Sequence, residues 1–80
     1  AQMMLSHDAV AVIQQLKRGD CWDGALVSKA GRDYLVKKGI AQRCRKYESG
    51  PYMGCMVNEL TSDGLKLAAV MAEVDAKLAN

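Results

Sequence analysis

Six of the chain's eleven basic residues (Arg32, Lys37, Lys38, Arg43, Arg45 and Lys46) fall within the fifteen residues Arg32 to Lys46, a stretch with one acid, Asp33. Such a run suits anion binding. Lysine brings a compact charge, and arginine brings a planar fork of N–H donors that matches phosphate oxygens. The net charge of +2 hides an asymmetry. Residues 17 to 46 carry nine basic and three acidic residues, a balance of +6, and the remainder carries two lysines against six acids, a balance of −4. One side of the protein is therefore expected to favour an anionic partner. A solvated basic face is the plain alternative.

Other chemistry finds less support. Cys21, Cys44, Cys55 and His7 make four conceivable metal ligands, but no two have the short spacing of a structural zinc site, so neither a metal nor a cofactor is expected. One histidine, no evident carboxylate pair, no phosphate-cradling glycine loop and no nucleophile motif argue against an enzyme. Three cysteines without a signal-like segment predict reduced thiols in a cytoplasm. No apolar run approaches membrane-spanning length.

Eighty residues make one domain, 1–80, with a modest core. Ser6 caps a first helix that stops at Gly19, with Asp8 in the first turn and Lys17 and Arg18 in the last. Its core face is Ala9, Val12, Ile13 and Leu16. Asp23-Gly24 signals a turn, and Trp22 is expected to anchor this link by packing. Ser28 caps a second helix that runs to a stop at Gly39. Gly31 within it suggests a close backbone approach. Gly31 and Leu35 share one face, and Lys29, Arg32, Asp33, Val36 and Lys37 are expected mostly on another.

A hairpin follows, "IAQRCRKY" and "YMGCMVNEL" around "ESGP". A turn centred on Ser49-Gly50 sets Cys44 across from Cys55 and projects Arg43 and Arg45 from one face, Cys44 and Lys46 from the other. Tyr47 and Tyr52 are expected to stiffen the hairpin as a cross-strand pair. The last helix begins near Thr61 or Ser62, with a stripe of Leu67, Val70, Met71, Val74 and Leu78 widened by alanines.

"RDYLVKKGIAQR" resembles the end of the recognition helix and the start of the wing in MarR-type and related winged-helix regulators, through Asp33, Leu35, Gly39, Ile40 and Arg43. "VNELTSDGLKL" is similar to the family's returning strand, through Leu60, Thr61 and Gly64. The likeness covers residues 28 to 67. A looser one, in "LVSKAGRDYLVKKGIA" and "LTSDG", is to small bacteriophage and prophage proteins.

The resemblance implies a small α+β winged helix: helix, short link, helix, β-hairpin wing, C-terminal helix. It implies that Lys29 and Arg32, with Ser28 and Lys37, face the major groove, and that Arg43, Arg45 and Lys46 line the wing. The partner is then double-stranded DNA and the function transcriptional control, in a phage or prophage setting. A homodimer through Leu67, Val70, Met71, Val74 and Leu78 is expected. One departure stands out. Only eight residues separate Gly19 from Ser28, room for one turn of the support helix that a full helix-turn-helix needs. This favours an alternative, a phage-type inhibitor or adapter that uses the basic face against an acidic host protein.

Overall fold

The computed structural model describes residues 5–79, apart from the side chains of Cys44 and Ala79. Helix α1 (His7–Arg18) starts where the Ser6 hydroxyl accepts the Ala9 N–H at 3.2 Å. It ends at Gly19, whose φ of 152° and ψ of 165° lie outside the left-handed helical region expected for this stop. Ala9, Val12, Ile13 and Leu16 are all buried, as the periodicity predicts.

The link holds two elements that local pattern did not separate, strand β1 (Cys21–Trp22) and a 3-10 turn (Asp23–Ala25). The turn occupies the place of the support helix. The Gln15 side chain of α1 holds the link directly, donating to the Ala25 carbonyl at 2.6 Å and accepting the Val27 N–H at 3.0 Å.

Helix α2 (Lys29–Lys37) is capped by Ser28, whose hydroxyl accepts the Gly31 N–H at 2.9 Å. A Cβ at Gly31 would sit 2.7 Å from the Asp8 carbonyl oxygen, so the missing side chain lets α2 reach the start of α1. Gly39, at φ 76°, closes the helix while the Ile40 N–H reaches back to the Leu35 carbonyl at 2.9 Å.

Strands β2 (Ala41–Lys46) and β3 (Met56–Leu60) form the hairpin, and β1 adds to its far side, giving an antiparallel sheet ordered β1-β3-β2. Two expectations for this hairpin are corrected. Its loop is longer than a turn at Ser49-Gly50: the Gly54 N–H bonds to the Tyr47 carbonyl at 2.9 Å, and Met53 and Gly54 belong to the loop. Cys55 consequently stands opposite Tyr47, its carbonyl accepting that N–H at 3.1 Å, and not opposite Cys44. A bulge between Arg43 and Arg45, which pair with Asn58 and Val57, also breaks the expected alternation.

Helix α3 (Ser62–Ala79) begins at Thr61, whose hydroxyl accepts the Gly64 N–H at 3.1 Å and donates to the Gly39 carbonyl at 2.6 Å. Leu67 and Met71 pack on a core of Ala9, Val12, Ile13, Leu16, Leu35, Ile40, Ala41, Leu60 and Ala68. The rest of the predicted stripe diverges: Val70, Val74 and Leu78 are exposed. Three helices with an antiparallel hairpin between the second and third make a small winged-helix topology.

Gly64 tests this arrangement. A Cβ there would lie 2.0 Å from the Ile40 backbone oxygen, which is itself bonded to the Thr61 N–H. Gly64→Ala is expected to cost about 1–3 kcal/mol or more by overpacking, although alanine is the better helix former. Urea unfolding measures it, and a variant as stable as the native chain refutes the close approach.

Candidate nucleic-acid interface

The outward stripe of α2 consists of Lys29, Asp33, Val36 and Lys37, all exposed and spaced to share one helical face. Among the described residues, Lys29 and Lys37 make no ion pair. Lys38 sits 5.7 Å from the centroid of the Tyr34 ring. The Ser28 hydroxyl, implied as a groove contact, is spent as the α2 cap.

Arg32 departs from its expected position. It is buried, and its Nη1 donates to Asp23 Oδ1 and to Asn58 Oδ1, each at 3.0 Å. Its Nε donates to Asp33 Oδ1 at 2.6 Å. The guanidinium lies inward because Arg32 belongs to the buried side of α2, with Gly31 and Leu35. A cation there needs partners, and the link and β3 supply them.

Asp23 gathers the network. Its Oδ1 accepts from Arg32 Nη1, from Arg43 Nε at 2.9 Å and from Asn58 Nδ2 at 2.8 Å. Its Oδ2 accepts from Arg43 Nε at 3.0 Å and from Arg43 Nη2. Asn58, fully buried on β3, also donates to the Cys21 carbonyl at 3.2 Å. One carboxylate thus joins the 3-10 turn to α2, β2 and β3. The Arg43 hydrogen bonds, with the Asn58 amide and the charge of Arg32, hold the Asp23 carboxyl well below the usual carboxylate range.

Arg45 lies half exposed, and its Nη2 donates to Asp20 Oδ2 at 2.9 Å and Glu59 Oε2 at 3.2 Å. Lys46 is exposed without an ion pair among the described residues. Sequence reasoning grouped these cations but missed the acids that answer them. Asp23 registered only as a turn former. The signal available was Asn58, an amide beside Val57 where a buried strand calls for an apolar residue.

The wing tip is clasped to the link by aromatic rings. Tyr52 stacks on Trp22 with centroids 5.0 Å apart and an interplanar angle of 19°, and Tyr47 tilts against Tyr52 at 6.2 Å. A Cβ on Gly24 would fall within 2.2 Å of the Trp22 ring, so the indole lies directly over that glycine. The rings therefore tie the wing to β1 and the 3-10 turn.

Burial and the nearby Asp20 and Asp23 push the Cys21 thiol up, away from reactive thiolate. Among the described residues, no group of three or more histidine, cysteine or acidic side chains is placed to hold a metal, and no helix is long and apolar enough to cross a membrane. No family model matches the chain, and neither a curated protein nor a solved structure matches it. Its winged-helix character rests on topology.

Because the folded pKa of Asp23 lies below the unfolded value, its stabilisation is complete above about pH 4 and is withdrawn as pH falls from there toward the folded pKa. Asp23→Asn is expected to cost about 1–3 kcal/mol at neutral pH and to flatten the loss of stability below about pH 4. Denaturant melts of both proteins from pH 2 to 7 measure this, and parallel pH profiles overturn the assignment.

Proposed function

We propose that the chain is a sequence-specific DNA-binding regulator of transcription, of the MarR-like winged-helix kind and carried by a phage or prophage. The observation that carries this reading is the outward stripe of α2, where Lys29 and Lys37 make no ion pair among the described residues and stand on the helix that enters the groove in this topology. Lys46 on the wing strand adds a third such cation. Lysines of this kind attract the phosphate backbone, and Asp33 and Val36 between them meet base edges. Control is by occlusion or recruitment at a promoter, without catalysis.

Within this proposal, Arg32 and Arg43 hold the reading helix and the wing in register through Asp23. Their substitution then lowers binding through the fold. The functional unit is a homodimer joined by α3. Exposed Val70, Val74 and Leu78 support this, because they continue the stripe that Leu67 and Met71 begin inside the core. Two copies then address paired half-sites. The short 3-10 turn in place of a support helix favours a second reading, a docking module that uses the basic face against an acidic host protein.

Replacing Lys29, Lys37 and Lys46 together by alanine is expected to leave the fold intact and to reduce the slope of log K against log salt by about 2–3, at roughly 0.9 per phosphate contact. Titration of labelled duplex between 50 and 300 mM salt, ranges of about that order, measures it. A native protein without salt-sensitive duplex binding refutes the DNA reading and leaves docking. Val74→Glu with Leu78→Glu is expected to give a folded monomer, since both side chains are exposed. Sedimentation of the native chain as a monomer at high concentration rules out the dimer.

A further inference from the structure

The two wing arginines meet their acids in different ways. Arg43 is committed to Asp23, a carboxylate that also serves Arg32 and buried Asn58, so releasing it would strand other polar groups. Arg45 is held only at the surface. Its side chain is 51% exposed, and its nearest acid, Asp20, is 43% exposed. Glu59, the second acid, also accepts from the Gln42 amide at 3.0 Å. Two carboxylates thus share one arm, Nη2, of a fork that fits phosphate equally well, at a point where solvent and ligands have access.

We infer that Asp20 and Glu59 act as an internal substitute for the phosphate backbone: they occupy Arg45 in the free protein and so lower the protein's affinity for DNA of any sequence. The inference rests on the DNA reading above. A phosphate that uses the Nη2 arm of Arg45 must displace two carboxylates already bonded to it, and it meets their negative charge whichever arm it approaches. The counterion release that an unpaired arginine would bring is largely lost. Groove contacts from α2 do not pass through this fork and keep their full contribution. The pairing thus weakens a contact that carries no sequence information and lowers overall affinity whatever the duplex.

The experiment compares four proteins on a random-sequence duplex across a salt series: the native chain, Asp20→Asn with Glu59→Gln, Arg45→Ala, and the triple variant. The substitutions touch partly exposed pairs, worth little to stability, and circular dichroism verifies the fold. The double variant is expected to bind about five- to tenfold tighter at about 0.1 M salt, with a slope steeper by about 0.9, the worth of one phosphate contact. Arg45→Ala alone is expected to change little, and the triple variant to lose the gain. A double variant with the native slope overturns the inference while the DNA reading stands. A gain that persists in the triple variant also overturns it, since net charge then accounts for the effect. Absence of duplex binding by both the native chain and the double variant overturns the reading and the inference together.

Discussion

A buried cation on a short helix needs an answering charge, and the rest of this structure is arranged around supplying it. Arg32 lies on the side of α2 that faces the sheet, where an unpaired guanidinium would be costly. Asp23 and Asn58 answer it from the 3-10 turn and from β3, and Arg43 reaches the same carboxylate from β2. Four segments distant in sequence are thereby fixed by one set of directional bonds. Hydrophobic packing of Leu35, Ile40 and Leu60 brings the layers together but is indifferent to small rotations. The hydrogen-bond network defines the angle between α2 and the wing.

This network explains how a winged helix works with so little between its first two helices. A support helix normally braces the reading helix through a hydrophobic face. Here the link is too short for one, and polar contacts take over. Gln15 brackets the link with two hydrogen bonds, the Asp23 carboxylate ties it to α2 and the sheet, and Trp22 stacks on Tyr52 of the wing tip. Most of these contacts are directional, which suits a segment too short to present a helical packing face. The same economy appears at Gly31 and Gly64, where backbone meets backbone because no side chain intervenes.

The basic run met first in the sequence divides into two populations. Arg32, Arg43 and Arg45 face acids of the same chain, whereas Lys37, Lys38 and Lys46, like Lys29 ahead of the run, make no ion pair among the described residues. The division follows side-chain chemistry. A guanidinium satisfies several acceptors at once and is weakly hydrated, so it is the cation suited to a structural network. The ammonium of lysine is strongly hydrated and stays in solvent. Positive charge in this segment therefore does two jobs, framing the fold and facing outward.

Local rules were enough for the helices and their ends. Ser6 and Ser28 as caps, the stops at Gly19 and Gly39 and the buried face of α1 all follow from interactions within a few residues, and the helix–helix–hairpin–helix order followed from them, with the winged-helix topology implied by the family resemblance. The close approach at Gly31 was legible too, because a glycine inside a helix carries a propensity cost that something must offset. The long-range pairings were not legible. Strand β1 is two residues long and exists only because β3 lies beside it. The wing register was misread because a bulge and a long loop displaced it, and no residue marked either. Arg32 was expected on the outer face because helical periodicity assigns a direction without knowing which neighbours wait there, and the family resemblance then implied a groove contact for it. The divergence of Leu67 and Met71 from Val70, Val74 and Leu78 arose in the same way, since a stripe on a helix states what can be buried and only the neighbouring helices decide how much of it is. Sequence alone determined the three helices and the presence of a hairpin, because their signals are local. Tertiary structure decided which charges meet, because Asp23 and Asn58 are thirty-five residues apart until the sheet closes.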